Sequence, residues 1–285
     1  MSNPKNPFFS VVVPTFERAD DLSKCLFSLS YENQDGAPPF EIIVSDDSKT
    51  DNCKKLVEND FSDAKWGKGK KIGPAGNRNA GVARANGKWI VFLDDDCVAQ
   101  YGYLVAYANA IKKHPKTLVF EGRIYADRPR KTWAEGCPEN ENGGMFWTSN
   151  LCVNKELYLE LGGLDERFKV AYEDVEFAYR IKQKKLSTVF VSDAAVCHPW
   201  RTLRKQIKNW KQMDYQWDSL RLFLEKQPSA KSEYGNPGLY LRHAWRMVTK
   251  DLFFCIFKLK GKGIDILFKH FFCSLEISIR IFFLK

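Results

Sequence analysis

Carboxylates gather at three points of the chain. Asp94-Asp95-Asp96 follow the apolar run Trp89-Ile-Val-Phe-Leu93, Asp46-Asp47 follow Phe40-Glu-Ile-Ile-Val44, and Glu173-Asp174 precede a stretch of helical spacing. Three adjacent carboxylates repel one another, so a fold tolerates them best where a cation or ligand donors offset the charge. A solvated turn capping a helix is the other reading of the triplet. Its position after a buried apolar strand favours ligand chemistry, because such strand ends are where α/β sheets bind. Taken alone, Glu173-Asp174 reads as a charge pair at a helix N-terminus.

The elements that must hold these groups are written in the hydrophobic spacing. Phe9-Ser-Val-Val-Val-Pro14 is a β-branched run ended by a proline, and Leu22, Cys25, Leu26 and Leu29 fall on one face of a helix opened by an Asp pair. Strands are expected at 40–44, 88–93 and 117–122. Helices carry Cys53, Leu56 and Val57, then Leu104, Tyr107, Ala108 and Ile111, and residues 73–81 form a glycine-bearing turn leading into helix. This β-α-β-α order predicts an α/β fold: a Rossmann-like, mostly parallel sheet with helices on both faces and ligands at the strands' carboxyl ends. Residues 127–147 are polar, aperiodic and rich in Gly and Pro, the texture of a mobile loop. Structure is expected to resume at 148–154, with a helix at 173–184 and a strand at 188–191. Beyond Pro199 the pattern is helical, with Leu203, Ile207, Trp210, Met213, Trp217 and Leu220 recurring every three or four residues.

The 285 residues are 44% hydrophobic and 28% charged, which excludes a disordered, collagenous or coiled-coil chain. Wholly apolar runs stop at about six residues, too short to span a bilayer. The N-terminus lacks the apolar stretch of a signal peptide, and the eight cysteines form no CxxC pair. They read as reduced, mostly buried small hydrophobes of a cytoplasmic chain. Residues 201–285 hold 17 Lys and Arg against 7 Asp and Glu, and residues 1–200 hold 27 against 28. A near-neutral body joined to a basic extension suggests chemistry in the first and an anionic partner for the second.

Six strings in order carry a more specific resemblance. Val11-Val-Val-Pro-Thr-Phe16, Asp46-Asp-Ser-Lys-Thr-Asp51, Asn77-Arg-Asn-Ala-Gly81, Asp94-Asp95-Asp96, Gly162-Gly-Leu-Asp-Glu166 and Glu173-Asp174 resemble the motifs of the family 2 inverting glycosyltransferases of the GT-A fold, of the bacterial polysaccharide and lipopolysaccharide type. The resemblance covers residues 9–200. Departures are small: Ser48-Lys49 replaces Gly-Ser, and Glu17 replaces the usual Asn. It implies a catalytic domain at 1–200, with a nucleotide-sugar half to about 125 and an acceptor half at 126–200, followed by a basic, aromatic-rich helical extension at 201–285.

Glycosyl transfer from a nucleotide diphosphate must stabilise a departing diphosphate and activate an acceptor hydroxyl. By resemblance, Asp96 is the principal ligand of Mn²⁺ or Mg²⁺, with Asp94 facing the metal or the ribose and Asp95 beside them in the donor site. His198 stands where related enzymes place a histidine near the metal, and a hydrogen-bonded structural histidine is its equal alternative. Asp174 is the implied general base, with Glu173 on the acceptor side. Asp47, with Asp46 behind it, is expected to accept the N3–H of uracil, whose ring stacks on Phe16 beside Pro14, Thr15 and Glu17. Arg78 approaches the ribose or diphosphate.

Residues 206–210, Gln-Ile-Lys-Asn-Trp, resemble the QxxRW element of processive synthases, with Asn209 for Arg. Trp210 there can floor an acceptor sugar or belong to the helical stripe. The expected reaction is addition of one sugar, from a UDP-hexose or UDP-N-acetylhexosamine, to a glycan or lipid-linked glycan. Between residues 240 and 285, aromatics interleave with Lys and Arg, the pattern of helices lying on the inner face of an anionic membrane. Packing on the catalytic domain or in a homo-oligomer is the alternative. Two rivals stand further off. A sugar-phosphate nucleotidyltransferase normally has a Gly-rich loop after its first strand, absent from Pro14-Thr-Phe-Glu-Arg18. A non-enzymatic polyanion binder is opposed by the strand-end carboxylates, and no nucleic-acid partner is expected.

Overall fold

Successive side chains of a strand face opposite sides of its sheet, and the three valines after Ser10 show the result. In the computed structural model, which describes residues 6–203 and 214–284, strand β1 (Phe9–Thr15) sends Val11 and Val13 into one core and Val12 into another. β2 (Phe40–Asp46) does the same with Ile42 and Val44 against Ile43. One face is covered by α1 (Ala19–Ser28), α2 (Asn52–Asp60) and α4 (Tyr103–Lys113), the other by α3 (Pro74–Val82), α5 (Lys155–Glu160) and α6 (Glu173–Gln183). The remaining strands of the sheet are β3 (Ala64–Lys68), β4 (Trp89–Leu93), β5 (Val98–Ala99), β6 (Val119–Ala126), β8 (Asn150–Asn154) and β9 (Thr188–His198).

The sheet runs β3-β2-β1-β4-β8-β6-β9-β5. The expected α/β class with helices on both faces holds, and the parallel β2-β1-β4 part of the sheet is what the periodicity anticipates. β8 then enters antiparallel to both β4 and β6, because the chain returns directly from the 127–149 excursion without a crossover helix. β3, at the sheet edge, escapes the sequence reading: Ala-Lys-Trp-Gly-Lys has no strand alternation.

β9 is longer than the expected 188–191 and makes a detour. Gly122 pairs with Val191 but Arg123 pairs with Ala195, so three residues of β9 bulge out. Gly122 is required there, since a Cβ would lie 2.3 Å from the Ala194 carbonyl oxygen. Asn150 secures the bulge: its Nδ2 donates to the Ala194 and Arg123 carbonyls, and Tyr103 and Tyr107 donate to its Oδ1. The bulge lets β9 run on to His198.

The stretch at 138–147, expected to be mobile, has a frame. Ile124 and Asn140 exchange backbone hydrogen bonds of 3.0 and 2.9 Å. Buried Glu121 accepts from Asn140 Nδ2 and from the N–H groups of Gly144, Met145 and Phe146. A buried carboxylate that gathers several donors from one loop is invisible to periodicity.

The chain divides into two compact units, Met1–Asp127 with Pro138–Pro199, and Arg128–Cys137 with Trp200–Lys285. In the second, β7 (Glu135–Gly136) pairs antiparallel with β10 (Arg201–Thr202). Its helices are α7 (Asp214–Lys226), α8 (Lys231–Tyr234), α9 (Pro237–Arg246), α10 (Leu252–Phe257) and α11 (Ile264–Phe282). Trp133 and Ala134 pack with Cys255, Leu259, Ile266 and Leu267. Gly263, at φ +84°, must be glycine: a Cβ would lie 2.4 Å from Ala134 N. The large aromatics mostly face outward. Trp245 is 70% exposed, Phe253 63%, Phe257 65% and Phe282 72%. Among the described residues no helix is long and apolar enough to cross a membrane.

Candidate functional site

The carboxyl ends of β1, β2 and β4 deliver several of the expected residues to one cleft of about 690 Å³, whose lining does not include Asp96, Glu173, Asp174 or His198. Its walls include Pro14, Thr15, Phe16, Arg18, Asp47, Asn77, Arg78, Asp94 and Asp95, with Lys49, Lys71 and Lys169 at the rim. Phe16 is 52% exposed, a free aromatic face. The two aspartates after β2 have separate duties. Both oxygens of Asp46 are taken, by Ser48 N–H at 2.8 Å and Trp66 Nε1–H at 3.0 Å, so Asp46 holds the turn from behind. Asp47 faces the cleft, accepts from Lys71 N–H at 2.8 Å, and is raised above its ordinary carboxylate value by burial. Gly69 permits this: a Cβ there would sit 2.1 Å from Asp47 Oδ1.

Glu17 lies outside the cleft walls. At φ +56°, it accepts from Lys49 N–H at 2.7 Å and Thr50 N–H at 3.1 Å, and from the Thr50 hydroxyl, which holds its carboxyl below the ordinary value. Its visible work is to tie the turn after β1 to the turn after β2.

The acidic triplet is offset within the protein itself. Asp95 accepts from the Thr15 hydroxyl at 2.7 Å and from Arg18 Nη1 at 3.1 Å, and burial pushes it up to about 6 against these contacts. The same Arg18 nitrogen reaches Asp96 Oδ2 at 2.9 Å, and Arg78 Nη2 reaches Asp94 Oδ1 at 2.5 Å. Arg18 is a site residue that sequence reasoning missed; its only signal was a cation three residues beyond Thr15.

Asp96 is buried behind the cleft wall beside His198. His198 Nδ1 lies 2.7 Å from the Pro199 carbonyl, which can only accept, so Nδ1 carries the hydrogen. Nε2 then faces Asp96 Oδ1 at 3.3 Å. Two acceptors in apposition call for a proton or a cation between them. Cys97 completes a set whose ligand atoms lie within 4.8 Å of one another. These donors fit a divalent cation, with Asp94 on the cleft side of the same turn.

Behind Asp94, Arg78 continues to Glu173 Oε1 at 3.4 Å. Arg78 is buried, and its guanidinium is engaged with carboxylates on both sides. Glu173 and Asp174 begin α6, as expected. Burial pushes Glu173 up to about 7, opposed by Arg78 and reinforced by the charge of Asp174. Burial also raises Asp174, whose Oδ1 accepts from Val175 N–H at 2.8 Å. Trp210 lies outside the described residues.

Two further strings are joined through Asn79. Its Nδ2 donates to Leu164 O at 2.8 Å and Glu166 Oε1 at 2.9 Å, and its Oδ1 accepts from Tyr158 and Leu164 N–H. Arg180 of α6 donates to the Leu161 and Gly163 carbonyls. The 162–166 turn is thereby pinned to α3 and α6, the helices that carry Arg78 and Asp174.

Comparison with known proteins agrees with this layout. Residues 10–154 match the family model described as glycosyl transferase family 2. Over 95 residues the chain is 43% identical to the GalNAc(5)-diNAcBac-PP-undecaprenol beta-1,3-glucosyltransferase of Campylobacter jejuni, a match covering 32% of this chain and 30% of that protein. It is 25% identical over 239 residues to the glycosyltransferase AglE of Haloferax volcanii, covering 77% of each. The fold is similar to that of S. aureus TarS 1-349 in complex with UDP-GlcNAc, with a TM-score of 0.55 and 21% identity over 75% of this chain and 65% of that one. The shared architecture is the GT-A fold.

Proposed function

The chain belongs to glycosyl transferase family 2, and from that membership we propose that it moves one sugar, with inversion, from a UDP-sugar to a hydroxyl of a glycan or lipid-linked glycan. The observation that carries this reading is the cleft at the ends of β1, β2 and β4, where an exposed aromatic ring, the cleft-facing Asp47 and several cations meet. Phe16 stacks on the uracil ring, and Asp47 accepts its N3–H. Pro14 and Thr15 set the floor, and the rim lysines face the diphosphate. The donor class is supported by the UDP-GlcNAc bound to the structural neighbour, and the acceptor class by the undecaprenol-linked substrate in the relative's name.

Asp96, Asp94 and His198 would hold the divalent cation, which when bound neutralises charge on the departing diphosphate. A set containing an imidazole suits Mn²⁺ better than Mg²⁺, which keeps to oxygen donors. Asp174, half-buried and poorly solvated, takes the proton of the acceptor hydroxyl as it attacks. Glu173 and Arg78 fix the N-terminus of α6 relative to the acidic turn.

The C-terminal helices would rest on an anionic membrane at the inner face of the cell, where a lipid-linked acceptor lies. Aromatics exposed on one chain suit a membrane or a second copy alike, and the Lys and Arg interleaved with them favour the anionic surface.

The test is incubation with a panel of nucleotide sugars and Mn²⁺, following UDP release and the anomeric proton of the product by NMR. Transfer with an inverted anomer is expected. A retained anomer, or no turnover with any nucleotide sugar across undecaprenol-linked and oligosaccharide acceptors, overturns the reading.

A further inference from the structure

Arg18 stands at the entry of α1, its carbonyl accepting from Leu22 N–H at 2.9 Å, so its backbone is fixed by the helix. Its side chain is 47% exposed and lines the cleft. A single nitrogen, Nη1, bridges Asp95 Oδ1 at 3.1 Å and Asp96 Oδ2 at 2.9 Å. Both carboxylates are almost fully buried, and their other oxygens face Thr15 and His198. The guanidinium thus holds positive charge beside the acidic turn, where a divalent cation would also be attracted. Its long, half-exposed arm can swing while its backbone stays still, which the buried Arg78 cannot do.

We propose that Arg18 is an internal counter-ion for the acidic turn that is handed over during donor binding. In the nucleotide-free protein it pairs Asp95 with Asp96 and competes with the divalent cation. When the cation and the UDP moiety enter, Arg18 releases the two carboxylates and turns its planar fork onto the diphosphate oxygens, for which it is a bidentate donor. It is a positioning residue that links metal and nucleotide binding in one order. The inference rests on the donor and metal assignment proposed above. It goes beyond it by naming a residue whose removal moves the two affinities in opposite directions.

Isothermal titration of the full chain separates the possibilities. An opposite charge beside a carboxylate is worth one to three decades in proton affinity, so Arg18→Met should bind Mn²⁺ alone roughly tenfold more tightly than the parent. At saturating Mn²⁺ the same variant should bind UDP roughly tenfold more weakly, with a bidentate donor lost, while uridine affinity is unchanged. Arg18→Lys, which keeps a charge without the fork, should fall between them on both measures. It also serves if the Met variant melts early by circular dichroism. A purely structural Arg18 would weaken Mn²⁺ and UDP binding together, and that result, or no change in either, overturns the proposal. Failure of the parent itself to bind Mn²⁺ or UDP would instead refute the donor and metal reading beneath it.

Discussion

Arg78 Nη1 and Glu173 Oε1 lie 3.4 Å apart, and through the other arm of Arg78 the start of α6 is tied to Asp94. The segment that carries the proposed base and the turn that carries the acidic triplet therefore share one buried guanidinium. Displacing either end leaves a buried charge short of its partner, which costs more than the pair contributes when intact. The geometry between the acidic turn and the start of α6 is set by this link.

Asp174→Asn keeps the shape of α6 but cannot take a proton. We expect kcat to fall roughly 10²–10⁴-fold with UDP affinity unchanged. A variant retaining more than about a tenth of the rate would assign the base elsewhere.

The pH profile should carry the mark of the same pair. Glu173 is raised to about 7 and Asp174 is raised above its ordinary value, both first by burial. The base works ionised, so kcat/KM should fall as pH drops, with an acidic limb above the ordinary carboxylate range that belongs to the pair rather than to one residue. Glu173→Gln removes the higher-titrating member of the pair, leaves Asp174 to set the limb alone and so moves it to lower pH. A limb that stays in place in this variant would uncouple the two groups.

Asp96→Ala and His198→Ala each remove a proposed donor. Mn²⁺ binding should weaken by at least roughly 10–100-fold, since even outer contacts of metal ligands cost that much, and activity should be lost in chelator and return with Mn²⁺. Turnover at the full rate in excess chelator would end the metal assignment.

Glu121 should matter for stability rather than chemistry. Glu121→Ala strands two buried donors, Asn140 Nδ2 and Phe146 N–H, each costing about 1–3 kcal/mol, and should lower the apparent Tm by several degrees. Glu121→Gln, which keeps one acceptor oxygen, should recover part of the loss. Equal melting of parent and Ala variant would show that the 140–146 segment does not depend on this carboxylate.

For the membrane, the full chain should co-sediment with anionic vesicles at low salt. Trp245→Ser with Phe257→Ser, both at exposed positions, should reduce that binding by roughly tenfold or more, since each ring carries about 1.5–3 kcal/mol of apolar transfer. Parent protein remaining in the supernatant would leave these helices to packing or self-association.

Sequence patterning reached far in the first unit because its central strands are buried on both faces and read as unbroken apolar runs. It lost β3 and the antiparallel entry of β8, where pairing depends on partners distant in sequence. The site followed the same division. Phe16, Asp47, Asp94 and Asp174 stand at ends of elements that the local pattern places, while the roles proposed for them come from the family resemblance. Arg18, the double bonding of Asp46 and the Asn79 anchor are contacts across tens of residues, and no local pattern encodes them. The acidic triplet itself gave half the answer: its repulsion does demand a counter-charge, and the protein supplies one in Arg18 and Arg78.

The rung between Ile124 and Asn140 has a consequence for engineering. It closes the neck of an excursion whose middle, Arg128–Cys137, belongs with the C-terminal helices rather than with the strands on either side. The entropy of closing a flexible excursion rises only slowly with its length, and the hydrogen-bonded neck insulates the register of β6 from what lies beyond. A chimera that trades acceptor preference with a relative should therefore cut at residues 125 and 139 and again at 199, carrying both pieces as one cassette. Grafting the C-terminal stretch alone would leave Trp133 and Ala134 of the host packed against a stranger's helices.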